Sequence, residues 1–333
     1  MARIGMIGPG AMGQAHIERI HTVIGGGRVV GVSDVDATRV REVADRIGGT
    51  AYASAEELIQ SPDVEAVMIC THGPAHETDL LACIAAGKPV LCEKPLTPTA
   101  AAAARVMEAE IAGGQRLVSV GFMRRYDRSY RQLKATLDSG SLGAPLMVNC
   151  AHRNPGVPDF YTWDMAINDT AIHEVDITRW LLGEEFVSAR VDQPRRTSLA
   201  PARLQDPLVL ILTTASGVRV SDEIFVNCQY GYDIRCEAVA ERGTVSLSDQ
   251  NAIDWRTAYG AGHPITMDHN ERFFQAFVTE VQEWITAVDA GVHTGSTAWD
   301  GYAAACVCDA GVRALTDSGT VAVQMIDRPD FYA

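Results

Sequence analysis

The sequence predicts an α/β chain in two parts. Residues 1–122 form a parallel sheet covered by helices on both faces. Residues 123–333 form an α+β domain on a large, mostly antiparallel open sheet. Three observations predict this. Short apolar runs alternate with helical patterns through the first ~120 residues. The first run ends in a glycine cluster that opens a helix. Beyond residue 144 several strands follow one another with turns such as "ASG" and "ERG" between them.

In order, "RIGMIG" (3–8) is a strand and "AMGQAHIERIHTV" (11–23) a helix. "GRVVGVSD" (27–34) is the second strand, and "ATRVREVADRIG" the helix after it. "VEAVMICT" (64–71) and "KPVLCEKP" are the third and fourth strands, with "AHETDLLACIAAG" a helix between them. "TPTAAAAARVMEAEIAGG" starts near Thr97 or Thr99, and "QRLVSVGF" is the fifth strand. "RRYDRSYRQLKATLDSGSLG" (124–143) reads as a helix leaving the sheet, and "APLMVNCAHR" as the strand after it. "NDTAIHEVDITRW" (168–180) is a helix with Ile172, Val175 and Leu182 as core contacts. The strands "FVSARVDQ", "PLVLILTTA", "GVRVSDEIFVN", "YDIRCEAVAE" and "GTVSLSD" follow. In "ERFFQAFVTEVQEWITAVDAG", Phe273, Phe277, Val281, Trp284 and Val288 make one apolar stripe. The last helix opens with the capping-box pattern Thr297-x-x-Asp300.

Composition narrows the function. Of 333 residues, 47% are hydrophobic and 21% charged, which suits a globular chain with a large core. The net charge of −14 disfavours nucleic acid and anionic membrane surfaces as partners. No run suits a transmembrane span or a signal peptide. The eight cysteines are scattered, with no C-x-x-C pair and no zinc spacing, so we expect reduced, buried thiols, no metal and a cytoplasmic chain.

Gly8, Gly10 and Gly13 have G-x-G-x-x-G spacing, with Ala11 and Met12 inside the motif. Between a strand and a helix these glycines permit a tight turn and close backbone approach to a pyrophosphate at the helix N-terminus. This is the fingerprint of a Rossmann domain. Asp34, ending the second strand, can accept from a ribose 2′-hydroxyl and repel a 2′-phosphate, which favours NAD over NADP. Arg39 is expected on the solvated face of the next helix. Lys94 stands at a strand end, where ligands of such sheets bind. It is either a surface lysine or a group that holds a substrate hydroxyl.

Asp169 and His173 are four apart and share a helical face. The pair is open to two readings: an N-terminal cap with a structural histidine, or a carboxylate beside a general base. His152 and Asn154 alternate along a strand, and Tyr230 and Tyr232 likewise suggest one face. Neutral donors and acceptors of this kind suit an uncharged, polyhydroxylated substrate.

The segments "GKPVLCEKPL", "RLVSVGFMRRYD", "PLMVNCAHRNP", "DTAIHEVD", "VNCQYGYDIRCE" and "TAWDGYAA" lie in both parts of the chain. Together they resemble the Gfo/Idh/MocA oxidoreductases, nearest to inositol-oxidising members. The resemblance implies NAD-dependent oxidation of a ring hydroxyl of myo-inositol to the keto-inositol, as in inositol catabolism, by a homotetramer. It implies Lys94, Asp169 and His173 as catalytic residues. It puts Thr71, His72, Pro74, His76 and Glu93 near the cofactor, with Lys94, and Arg124, His152, Asn154 and Tyr232 near the substrate. Asn168 is polar where an apolar residue is common, and "DWRTAYGAGHPITMDHN" fits the pattern poorly. Another cyclitol or a pyranose sugar is the alternative substrate. A nucleotide-sensing regulator without turnover is the alternative class, but it has no need of Lys94, Asp169 and His173 together.

Overall fold

A computed structural model describes residues 1–248, 254–317 and 319–333. Asp249, the last residue of the expected strand "GTVSLSD", lies outside the described residues. The chain forms two compact units: residues 1–123, 277–305 and 326–333 in one, and 124–276 and 306–325 in the other. Both are discontinuous, so they differ from a single division after residue 122.

The first unit is wound as β1 (Ala2–Ile7), α1 (Ala11–Thr22), β2 (Gly27–Ser33), α2 (Ala37–Ile47), β3 (Thr50–Ala51), α3 (Ala55–Gln60), β4 (Ala66–Ile69), α4 (Gly73–Ala85), β5 (Val90–Glu93), α5 (Ala100–Gly113) and β6 (Val118–Gly121). All six strands are parallel, in the order β3-β2-β1-β4-β5-β6. The two-residue β3 is too short to leave a pattern in sequence, and its presence makes the Lys94 strand the fifth. The order reverses between β1 and β4, the point at which sheets of this kind bind ligands beyond the strands' carboxyl ends. The helices start where side chains can take up free N–H groups. Asp36 accepts from Thr38 and Arg39 at 3.0 and 3.1 Å, and Thr99 caps α5.

The second unit contains α6 (Arg128–Asp138), β7 (Pro145–Arg153), a π-helical turn (Ala166–Ala171), α7 (Ile172–Leu182), β8 (Phe186–Asp192), β9 (Leu208–Thr214), β10 (Arg219–Phe225), β11 (Asp233–Ala240) and β12 (Gly243–Ser246). The expected helix over 124–143 is shorter. A 3₁₀ turn at Met123–Tyr126 precedes it, and Asp127 caps α6 by accepting from Ser129 and Tyr130. The "DWRTAYGAG" segment makes a small hairpin, β13 (Trp255–Thr257) with β14 (Gly260–Gly262). α8 (His269–Arg272), α9 (Phe274–Ala290), α10 (Ala298–Thr316) and β15 (Thr320–Ala322) complete the chain. Among the described residues no helix is long and apolar enough to cross a membrane.

The large sheet runs β12-β11-β7-β10-β9-β8-β15. Only β7 and β10 pair in parallel. Strand alternation divides its residues. Val148, Cys150, His152, Leu210, Leu212, Val220, Asp222, Ile224, Cys236 and Ala238 are buried. Met147, Asn149, Val209, Ile211, Glu223 and Arg235 lie on the other face, half-buried or exposed. α7 packs against β7 and α6. Ile172 through Arg179 are all buried, and so is Leu181, whereas Leu182 is half-buried.

The core of the first unit explains why that unit is discontinuous. Val281, Trp284 and Ile285 of α9 join Ile4, Met6, Ile17, Val29, Val32 and Met68 in one buried cluster, with Val288 packed against it. Each such fully buried side chain contributes roughly 1.5–3 kcal/mol. Phe273 is fully buried too, but it caps α8 and belongs to the second unit. All eight cysteines are thiols, and all but the half-buried Cys70 are buried.

Candidate active site

The dinucleotide end is built by the loop from β1 to α1. Gly8 has φ +82°, a conformation that favours glycine. A Cβ on Gly13 would lie 2.4 Å from the Gly8 carbonyl oxygen, so α1 rests directly on the turn. A Cβ on Gly10 would meet nothing within 4 Å, so this backbone faces open space. No side chain caps α1 and its first turn holds no acidic residue. The free N–H groups and the helix dipole there suit a pyrophosphate.

Asp34 follows β2 and accepts from the Asp36 amide at 2.9 Å. Arg39 is not simply on a solvated face. Its Nη1 lies 3.3 Å from both Asp34 carboxylate oxygens, and its Nη2 3.3 Å from Asp36. The first turn of α2 brings the long arginine back over these two carboxylates.

Beyond β4, the Thr71 hydroxyl oxygen is buried with no partner among the described residues. Thr71 also stands against the Gly8 turn, where a Cβ on Gly8 would come within 2.7 Å of it. An orphaned hydroxyl beside an open glycine turn fits a bound dinucleotide. His72 caps α4 and Pro74 lies in its first turn. His76 is fully buried, with Nδ1 2.8 Å from the Pro95 carbonyl and Nε2 2.9 Å from the Thr71 carbonyl. It braces the segment after β4 against the segment after β5, which begins at Lys94. Glu93 lies 2.9 Å from His16 Nε2 and accepts from the Lys94 amide at 3.3 Å. Burial alone would raise its carboxyl, but His16 and Lys94 outweigh it and hold it below the usual range.

In the second unit the polar residues collect around His152 on β7. Its ring centroid is 6.1 Å from that of His173 and 5.7 Å from Tyr232, which meets it edge-on. Tyr232 also packs on Phe273 at 6.2 Å and His269 at 6.1 Å. Arg124 and Glu174 are each about 1% exposed; Arg124 donates to Glu174, and Glu174 Oε2 lies 2.8 Å from His152 Nδ1. Burial would raise the Glu174 carboxyl, but Arg124 and His152 overcome it and hold it low. Arg124, His152, His173 and Tyr232 are thus brought together.

Three details differ from the expectations. Asp169 lies in the π-helical turn, while His173 lies in the first turn of α7. The expected α-helical stacking of the pair is therefore changed, because a π turn carries an extra residue. Asp169 also does not cap α7, whose N-cap is Ala171 without a side-chain bond. Tyr230 and Tyr232 do not share an environment. Gln229 and Gly231 have positive φ, which breaks strand alternation. Tyr230 is 45% exposed and bonds Asp233, while Tyr232 is buried. Asn154 lies just past the end of β7, with its amide bonded to Phe225. Asn168 donates to Asp164 at 3.0 Å, so it ties the π turn together.

Sequence reasoning missed Glu174. A carboxylate within a helix otherwise set for burial was the available signal. It also missed the pairing of Asp176 with Arg125, at 2.9 and 2.5 Å.

A glycine turn shaped for a pyrophosphate, on a doubly wound sheet, defines a dinucleotide-binding protein. The comparisons narrow this. Residues 2–122 match the Gfo/Idh/MocA oxidoreductase family's NAD-binding Rossmann fold, and residues 130–246 match its C-terminal domain. The chain belongs to the Gfo/Idh/MocA oxidoreductase family. It is 50% identical over 332 residues to an inositol 2-dehydrogenase of Burkholderia cenocepacia, covering 99% of this chain and 98% of that one. It is 48% identical to an inositol 2-dehydrogenase of Pseudomonas savastanoi, covering 99% of each. Among solved structures it resembles myo-inositol dehydrogenase from Lactobacillus casei in complex with NAD(H) and myo-inositol. That likeness has a TM-score of 0.97 at 37% identity and covers 100% of both chains.

Proposed function

We propose that this chain oxidises a ring hydroxyl of myo-inositol to the keto-inositol. The carrying observation is half-identity, over nearly the whole chain, to inositol 2-dehydrogenases. NAD, when bound, accepts the hydride from the ring carbon. Gly8, Gly10, Ala11, Met12 and Gly13 would hold its pyrophosphate and Asp34 its ribose, with Thr71, His72 and Pro74 alongside. His173 takes the proton of the reacting hydroxyl. Lys94 holds that oxygen and stabilises charge on it, and Asp169 orients the substrate. Arg124, His152, Asn154 and Tyr232 bind the remaining hydroxyls. The neutral donors and acceptors of His152, Asn154 and Tyr232 favour a polyol over an anionic substrate. The chain works as a cytoplasmic homotetramer; the half-exposed apolar residues Val209 and Ile211 on the sheet's open face support a partner there.

The test is NADH formation by the purified chain with myo-, scyllo- and D-chiro-inositol, glucose and xylose. The reading expects the highest kcat/KM for myo-inositol. A preference for glucose or xylose replaces it with a sugar dehydrogenase. No NAD reduction with any of them removes the catalytic reading.

A further inference from the structure

We propose that Glu174 is a positioning residue that fixes the tautomer of His152, so that His152 offers Nε2 to the substrate as a hydrogen-bond acceptor. The substrate role of His152 rests on the function proposed above; the tautomer does not.

Two contacts converge on one atom. His152 Nδ1 lies 2.8 Å from Glu174 Oε2 and 3.2 Å from Arg124 Nη2. A guanidinium can only donate, and an ionised carboxylate can only accept. Nδ1 cannot satisfy both. If it carries the hydrogen, it donates to Glu174. If it carries the lone pair, it accepts from Arg124. Both contacts are charge-assisted, but the carboxylate contact is the shorter, at 2.8 Å against 3.2 Å, so it prevails. Glu174 is ionised because Arg124 holds its other oxygen. Nδ1 therefore carries the hydrogen, and in the neutral ring Nε2 carries the lone pair.

The surroundings leave little room for another arrangement. His152, Glu174 and Arg124 are 3%, 1% and 1% exposed, so water does not exchange freely for these partners. Ionisable neighbours include Tyr130 from α6, Cys150 from β7, Asp222 from β10, Cys236 from β11, His173 from α7 and Tyr232 before β11. Among the described residues, neither the Tyr130 hydroxyl nor the Asp222 carboxyl has a hydrogen-bond partner. Neither therefore supplies Nδ1 with a competing acceptor.

Removing the carboxylate charge inverts the polarity. In Glu174→Gln the amide oxygen can still accept from Arg124, and the amide nitrogen then donates to Nδ1. Nδ1 must accept, and the hydrogen moves to Nε2. Nε2 would then donate a hydrogen bond where it had accepted one from a substrate hydroxyl.

The experiment is ¹⁵N–¹H correlation spectroscopy of the histidine rings in the full-length protein, with His152 assigned by its loss in His152→Asn. The proposal expects an Nδ1–H ring in the wild-type protein and an Nε2–H ring in Glu174→Gln. A wild-type Nε2–H ring, or a doubly protonated ring at pH 8, overturns it without any variant. So does a ring unchanged by Glu174→Gln. In kinetics, Glu174→Gln should raise KM for the polyol about tenfold, the worth of one misdirected hydrogen bond, with KM for NAD unchanged. Glu174→Asp, which keeps the charge, should recover most of the loss. Equal KM changes in the Gln and Asp variants would assign Glu174 a packing role and overturn the proposal. If no polyol or sugar is turned over, the function reading fails while the ring measurement still decides the tautomer.

Discussion

Asp222 sits in the middle of β10, opposite Leu210 on one side and Cys150 on the other. It is fully buried, and neither carboxyl oxygen has a hydrogen-bond partner among the described residues. Burial first, and then the negative charge of Glu174, push its carboxyl well above the usual range; Arg124 opposes them and loses. One guanidinium thus faces two carboxyls: Glu174 is bonded to it and held low, while Asp222 is not bonded and is pushed high. The sign of the pH effect follows. Near pH 4 the unfolded chain releases this proton while the folded chain retains it. Stability is full below that range and falls as pH rises toward the raised folded value. The loss is about 1.4 kcal/mol for each pH unit between the two values. Asp222→Asn is close in size and has no proton to lose. Urea denaturation of both proteins at pH 5, 6 and 7, at one fixed chain concentration, isolates the effect. The stability of the variant relative to the wild-type chain should rise with pH, by up to about 1.4 kcal/mol for each pH unit below the folded value. The offset between the curves carries the cost of the unpaired amide; the slope carries the proton. Parallel curves would refute the reasoning and mean that Asp222 ionises normally.

Other sites give sharper functional readouts. Gly13→Ala puts a methyl 2.4 Å from the Gly8 carbonyl, so either the helix or the turn must move. NAD affinity by calorimetry should fall about tenfold or more, a loss of about 1.4 kcal/mol; unchanged affinity would separate this turn from the cofactor. Asp34→Ser removes the ribose acceptor and leaves Arg39, now held at 3.3 Å by that carboxylate, available to a 2′-phosphate. The NAD to NADP ratio of kcat/KM should drop at least about tenfold, and an unaltered ratio would place the ribose contact elsewhere. His173→Ala should leave NAD binding near normal and cut turnover by roughly 10²–10⁴-fold. Unchanged turnover would remove His173 from proton transfer.

Much of the fold could be read directly. The parallel sheet shows as strand–helix alternation, and the glycine turn, Asp34 and Lys94 fall at strand ends as expected. The capping box is present too, with the Thr297 amide donating to Asp300 at 2.8 Å. A succession of short strand-like runs with turns between them marked most strands of the second sheet. The site was legible as a set of residues but not as an arrangement. Asp169 and His173 looked like one α-helical pair, yet a π turn intervenes. Tyr230 and Tyr232 looked alike, yet a positive-φ glycine sends only Tyr232 inward.

What the sequence determined alone is local: backbone periodicity, turn chemistry and the glycine spacing act between neighbours along the chain. These settle the fold class and the dinucleotide turn. What only the tertiary structure decided is which polar groups meet when water is removed. His152 and Glu174 are 22 residues apart, and Arg124 and Glu174 are 50 apart. No spacing rule joins them. The packing of α7 on β7 does, and burial makes their pairing compulsory, because an unpaired charge there would cost several kcal/mol. The same surroundings shift two neighbouring carboxyls in opposite directions, Glu174 down beside its bonded cation and Asp222 up without one.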